Sequence, residues 1–308
     1  MTLPDLDETL ARLQRRSVRD LAWTLLSPPM LGEPPCRQRH PLTGSGWHDR
    51  PERLVDWLVR HDDAPEALET WLARGSTRRL GLYYERLWQY ALTHAPGVEL
   101  LAANVPVRRQ GHTLGELDLL LRDADGLHHL ELAVKLYLGL DADSGQFDRW
   151  IGPGGHDRLD LKLDRLQHHQ LPLCATDEAR DTLREFTREP VESSIWLAGY
   201  LFDDATRLPQ RPFGTHPALP PACWLRYGER QRIGGGVDTR WQWLPRACWL
   251  APATATDGWD GPAVQRWLDS FCELRQPQLL ARLRPGPGGQ WLECGRVFVV
   301  PDDWPAQG

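Results

Sequence analysis

Leu114-Gly-Glu-Leu-Asp-Leu-Leu-Leu-Arg122, Asp123-Ala-Asp-Gly126 and His128-His-Leu-Glu-Leu-Ala-Val-Lys-Leu-Tyr-Leu138 form the stretch from which the fold is read. Two apolar runs of strand length flank a short Asp/Gly segment with hairpin turn chemistry. Polar residues interrupt these runs at alternate positions, Glu116 and Asp118 on the first, Glu131 and Lys135 on the second. Successive side chains of a strand point to opposite faces, so Glu116 shares a face with Asp118, and Glu131 with Ala133 and Lys135. A two- or four-residue loop centred between Ala124 and Asp125 places Asp118 opposite Glu131 and Glu116 opposite Ala133. Directly opposed side chains have Cβ atoms about 5 Å apart, and facing acids repel; a divalent cation between them turns that repulsion into a binding site. A plain cross-strand salt bridge between Lys135 and Glu116 is the structural alternative. A three-residue loop would send Asp118 and Glu131 to opposite faces.

Upstream, Val98–Arg109 reads as the first strand of this group. It follows an amphipathic helix, Leu80–Thr93, which carries Glu85 and ends before Pro96-Gly97. Downstream, Gly152-Pro153-Gly154-Gly155 reads as a turn and cap before a helix over Asp157–Gln170. Its apolar stripe is Leu159, Leu163 and Leu166, with Lys162 and His169 on one edge and Gln170 nearby. Ser194–Phe202 is the fourth strand. The first 75 residues read as helices between proline-rich turns, one running from Leu6 to Leu26 and stopping at Ser27-Pro28-Pro29. After residue 210, Ala-Cys-Trp-Leu occurs at 222–225 and 247–250 and suggests two strands of a small sheet. A helix over Pro262–Leu283 and a strand over Arg296–Val300 close the chain.

Composition narrows the function classes. The 308 residues are 41% hydrophobic and 25% charged, ordinary for a folded chain of one large domain or two smaller ones. Of 36 basic residues only Lys135 and Lys162 are lysines. Lysine offers a compact, strongly hydrated point charge that arginine's planar fork does not, so these two are candidates for chemistry; a chance survival on a solvated face is the plain alternative. The net charge of −6 gives no overall attraction to a polyanion, so a nucleic-acid partner must meet a local basic groove. Fifteen tryptophans, eight of them after residue 220, are read as packing. Six scattered cysteines without Cys-x-x-Cys argue against a zinc knuckle or disulfide scaffold. No secretory leader pattern and no apolar run of about 18 residues is present, so a cytoplasmic location is expected. A nucleophile elbow is missing, since Ser144-Gly145 lacks the flanking glycine, and so are the phosphate-cradling glycine motifs.

A helix bearing Glu85, Asp118 on the second strand, Glu131 and Lys135 on the third, and a helix with Lys162 and Gln170 resembles the PD-(D/E)XK nuclease-like superfamily. Gly115-Glu-Leu-Asp-Leu-Leu, Glu131-Leu-Ala-Val-Lys-Leu-Tyr-Leu and Asp157-Arg-Leu-Asp-Leu-Lys-Leu-Asp-Arg-Leu are similar, more narrowly, to a bacterial family within it, domain of unknown function 1853. The resemblance implies an α/β fold with a mixed central sheet and flanking helices in restriction-endonuclease-like order (helix, three strands, helix, strand). The core would span residues 78–205, with a helical extension over 1–77 and a Trp-rich α+β extension over 206–308 packed on it. It further implies a Mg2+- or Mn2+-dependent phosphodiester hydrolase acting on nucleic acid, DNA rather than RNA. Asp118, Glu131, Glu85 and Glu116 would hold the metal, Lys135 would act with Glu131 and Asp118 in catalysis, and Lys162 and Gln170 would bind substrate. Arg108 and Arg109 would extend the groove. One departure stands out: the position two residues before the lysine, usually acidic, is Ala133, and the acid lies one pleat back at Glu131. Glu116, expected across from Ala133, is the carboxylate placed to fill that gap. The alternative is a catalytically degenerate nuclease fold that binds nucleic acid or protein.

Overall fold

Strand β1 (Glu99–Arg109) pairs antiparallel with β2 (His112–Asp123), and β2 pairs antiparallel with β3 (Gly126–Gly139) through a two-residue turn, Ala124-Asp125. The computed structural model describes residues 3–75, 79–140 and 145–305. Ser144 and the expected boundary at residues 77/78 lie outside them. Pairing runs from Asp123↔Gly126 to Leu119↔Leu130, so the loop is centred between Ala124 and Asp125. Charge holds this turn closed. Arg39 donates to Asp123 at 2.7 Å and to Asp125 at 2.8 Å, while the Asp125 N–H donates to Asp123 Oδ1 at 2.8 Å. Gly126, at φ 128, takes a backbone conformation that side-chain-bearing residues rarely adopt.

The chain divides into two compact units, Met1–Val134 with Leu163–Ala198, and Lys135–Lys162 with Gly199–Gly308. In the first, the helices Arg16–Leu26, Pro51–Asp63, Glu66–Ala73 and Leu80–His94 precede β1. The helix expected over Leu6–Leu26 is two helices, Leu6–Ala11 and Arg16–Leu26. The break is stabilised from a distance: the Asp62 carboxylate accepts the Gln14 and Arg15 N–H groups at 2.9 and 2.7 Å, capping the second helix in place of a local residue. Val105, Val107, Leu117, Leu120 and Leu127 of the three strands bury against Leu173, Ala179 and Leu183. Gly115 permits this, because a Cβ there would sit 2.8 Å from Leu173 Cδ2. The segment expected as one helix to Gln170 starts at Leu159, is α-helical to Arg165, and widens into a π turn over Leu166–Gln170.

The second unit contains the end of β3 together with β4 (Trp150–Ile151), the end of β5 (Glu192–Asp204), β6 (Ala222–Arg226), β7 (Arg240–Leu244), β8 (Thr254–Ala255), β9 (Gln278–Pro285) and β10 (Trp291–Val300). Here β5 and β10 each pair parallel with β6, while β10–β9 and β9–β7 pair antiparallel. Leu225, Trp241, Leu280, Val297 and Val299 bury against Val264 and Leu268 of the helix Gly261–Asp269. Ten strands among the described residues, paired both ways, make the chain mixed α/β, as expected.

Two expectations are corrected in this unit. The helix expected over Pro262–Leu283 ends at Asp269, and Gln278–Pro285 is a strand, because Pro277 cannot donate a helical N–H and the apolar run Leu279-Leu280-Ala281 pairs on both sides, with β7 and with β10. The second Ala-Cys-Trp-Leu is not a strand either. Its carbonyls serve the buried Arg296, whose guanidinium donates to Trp249, Leu250 and Ala251, and which stacks 4.3 Å from the Tyr200 ring centroid. All six cysteines are free thiols, and no helix among the described residues is long and apolar enough to cross a membrane.

Gly199 lies directly against the Lys135 backbone in the second unit. With φ +139, any Cβ there would collide with the Lys135 carbonyl. Gly199→Ala is therefore expected to destabilise the protein by about 3 kcal/mol or more, read as the urea midpoint. A loss under about 1 kcal/mol would show that the strands separate there without strain.

Candidate functional site

Glu131 lies on β3 and is 1% exposed, which demands partners for both carboxylate oxygens. His129, two residues earlier and therefore on the same face, donates Nε2–H to Glu131 Oε1 at 2.9 Å. Gln170 donates its amide to Oε2. The π turn matters here: the Leu171 N–H reaches back five residues to the Leu166 carbonyl, a wider winding that ends at Gln170. On its other side His129 Nδ1 lies 3.2 Å from Ser193 Oγ. Burial alone would pull the His129 pKa down, but hydrogen bonds to Cys174 and Glu131, with the electrostatic influence of both, outweigh it and raise the value to about 9. The imidazole is thus a cation at neutral pH, and His129–Glu131 is a buried ion pair.

Asp118 stands one step beyond the last β2–β3 pair, where the register sets it against Glu131. Its Oδ2 accepts the Leu132 N–H at 2.9 Å, so the side chain replaces the next ladder bond. Burial pushes its pKa up to about 7; the Glu131 charge adds to the rise and Glu85 contributes less, against the Leu132 hydrogen bond and His129. Across β1–β2, Asn104 falls opposite Asp118 in the pairing that runs from Ala103↔Leu119 to Val105↔Leu117. Asn104 adopts φ 55, accepts from Gln89 at 2.9 Å and donates to Glu85 at 3.4 Å. It carries the influence of the helix Leu80–His94 to the strand edge.

Of the expected site residues, the first unit therefore brings together Asp118, Glu131, Glu85 and Gln170. Glu116 is exposed and pairs opposite Pro106 on β1. Arg109 is held by Glu178 at 2.5 Å. In the second unit, Lys135 donates to Asp157 at 2.5 Å, and the Tyr137 hydroxyl donates to the other Asp157 oxygen at 3.2 Å. Lys162 is half-buried on the helix Leu159–Arg165. Among the described residues, no group of three or more His, Cys, Asp or Glu side chains is disposed to hold a metal ion. The donor set at Asp118 and Glu131 is a pair of hard oxygen ligands. That number suits Mg2+, which keeps several waters and takes one or two protein carboxylates.

The family described as Domain of unknown function (DUF1853) matches residues 19–300. The chain belongs to it. No curated protein and no solved structure matches significantly. The match extends across the first-unit acids, Lys135 and Lys162, and most of the Trp-rich remainder.

Four participants escaped the sequence reading: His129, Asn104, Gln89 and Asp157. His129 had a signal, since a histidine two residues before an inward-facing glutamate shares its face. Asp157, Asn104 and Gln89 had none, because their partners lie 15 to 22 residues away along the chain.

The pKa directions set a pH dependence. Asp118 and His129 both have folded values above their usual ones of 3.8 and 6.5. In both cases the folded state holds the proton more tightly, so stability falls as pH rises, from about 4 to 7 for Asp118 and from about 6.5 to 9 for His129. Asp118→Asn is expected to flatten the lower window and leave the upper one, measured as urea midpoints at pH 5, 7 and 9. An unchanged lower slope would assign that proton to another group. His129→Ala leaves the Glu131 charge buried without its cation and is expected to cost about 3–5 kcal/mol at pH 7 by the same measurement.

Proposed function

We propose that this protein is a divalent-metal-dependent phosphodiester hydrolase acting on nucleic acid, DNA rather than RNA. The pairing of the half-buried Asp118 with the buried Glu131 carries the proposal: two carboxylates are held together where desolvation and mutual repulsion raise the Asp118 pKa to about 7, an arrangement that a hard cation relieves. The helix Leu80–His94, the strands β1 to β3, the helical segment from Leu159 and the strand β5 follow one another in that order, with the two-residue β4 and the short helix Asp177–Leu183 inserted, and this supports the restriction-endonuclease-like reading of residues 78–205 and with it the kinship to PD-(D/E)XK nucleases. Bound Mg2+ or Mn2+ would supply polarisation of the phosphate and a water of lowered pKa.

The chain's own residues prepare this chemistry. Each Glu131 oxygen accepts one hydrogen bond, from His129 or Gln170, which orients the carboxylate and leaves each oxygen a further lone pair. Asp118 is anchored by the Leu132 N–H and, as a carboxylate, would be one of the two ligands holding the cation. Glu85, steadied by Asn104, adds a third acid at longer range. Lys135 and Lys162 keep the roles that the resemblance implies, Lys135 toward the attacking water and Lys162 toward the adjacent phosphate.

A second reading, a degenerate fold that binds nucleic acid or protein without cleaving it, is favoured by one observation. His129 already neutralises Glu131, and Ala133 leaves the usual acidic position empty of charge. Magnesium and manganese at millimolar concentration separate the two. The hydrolase reading expects divalent-dependent cleavage of duplex, single-stranded or branched DNA, a rise in melting temperature with the metal, and loss of both in Asp118→Asn; Lys135→Ala should lose cleavage while keeping the melting shift. Cleavage that survives both substitutions, or the absence of any metal-dependent melting shift, would sink it.

A further inference from the structure

We infer that the Trp-rich second unit carries a binding cleft for a single-stranded segment of nucleic acid, separate from the carboxylate pair. The cleft has a volume of about 590 Å³ and is lined in part by Trp243, Arg246, Trp249, Arg275, Gln278 and Trp304. This is within the roughly 300–1,000 Å³ of small-ligand sites.

The local structure explains what the cleft offers. Strand β7 ends at Leu244, and Pro245 turns the chain so that Trp249 Nε1 donates back to the Leu244 carbonyl at 2.9 Å. Trp304 Nε1 donates to the Pro153 carbonyl at 3.0 Å, and Trp243 Nε1 to Gln278 Oε1 at 3.0 Å. All three indole N–H groups are therefore satisfied inside the protein. Trp249 and Trp304 are buried in the wall of the cleft, at 8% and 4% exposure, while Trp243 leaves 42% of its surface open. Two guanidinium groups accompany these rings. Arg246 lies with Cζ 5.3 Å from the Trp249 ring centroid, which orients it at the rim. Arg275 pairs with Glu273 at 3.3 Å, but their side chains are 83% and 72% exposed, so the pair is weak and a phosphate can displace it. Asp303 is the one carboxylate among the lining residues, against two arginines.

An open indole face beside two cations suits a ligand that is flat and apolar in one part and anionic in the next, which is a base joined to a phosphate. A neutral sugar would leave the arginines unused. A duplex keeps its base faces stacked inside and offers the indole none, so the occupant is single-stranded. Only the choice of nucleic acid rests on the proposed function; the cleft itself needs neither the carboxylates nor a metal.

The test uses the full chain carrying Asp118→Asn in EDTA, with a fluorescently labelled oligothymidylate followed by anisotropy. Trp243→Ala is expected to weaken binding about 10-fold or more, and Trp243→Phe to retain most of it. Arg246→Gln with Arg275→Gln should lower the slope of log K against log salt by about 1.4, two phosphates on a single strand. A duplex of equal length should bind more weakly. No binding, or binding indifferent to all these changes, overturns the cleft. Binding without any cleavage by the unsubstituted protein in magnesium sinks the hydrolase reading and leaves the cleft standing. Cleavage and binding that are both unaltered by the cleft substitutions sink the cleft alone.

Discussion

The turn Asp123–Gly126 is the constraint on which the candidate site depends, because a one-residue change in its length would move Asp118 and Glu131 to opposite faces of their strands. Side-chain charge secures that length. The Asp123 side chain is fully buried and the Arg39 side chain 8% exposed, so their pairing holds two charges out of water. A buried pair of this kind adds little net stability but is costly to break, which favours one closed turn over shifted alternatives. His128, with Nε2 3.3 Å from Asp123 Oδ1, adds a further polar group to the same anchor. The loop that contributes Arg39 therefore takes part in setting the register of strands more than 80 residues later.

Around the acids that this register aligns, charge is compensated unequally. Glu131 has an imidazolium and an amide; Asp118 has one backbone N–H and a like-charged neighbour. Asp118, its pKa raised to about 7, is the member of the pair poised to change its ionisation. A carboxylate that is half protonated near neutrality responds to any incoming cation by releasing its proton, and this gives the pair a chemical sensitivity that neither acid would have alone. The same bonds limit motion: the π turn, the β3 backbone and the Asn104 bridge each hold one of the acids from a different element.

Much of the first unit was legible because its signals are local. Alternation marks β2 and β3 across a turn whose centre is readable, and three- and four-residue spacing marks the helix Leu80–His94. The errors share one cause. Pro262–Leu283 contains enough leucines to suggest a long helix, yet Pro277 and the pairing offered by β7 and β10 make its second half a strand. Ala247–Leu250 repeats the letters of a true strand, but Arg296 claims its carbonyls. The Leu6–Leu26 pattern is interrupted by a cap from Asp62. In each case a distant group competed for backbone hydrogen bonds and prevailed.

For the site, the sequence by itself determined which acids share a face, because the period of a strand follows from backbone geometry alone. It also marked Lys135 and Lys162 as unusual in a chain otherwise committed to arginine. Only the tertiary structure decided how those charges are answered: that Glu131 meets His129 and, from 39 residues away, Gln170; that Lys135 meets Asp157; and that Asp118 meets a backbone N–H. Face is set by neighbours in the chain. The partner of a buried charge is set by whichever donor or acceptor folding brings within reach, and with it the ionisation state on which any chemistry rests.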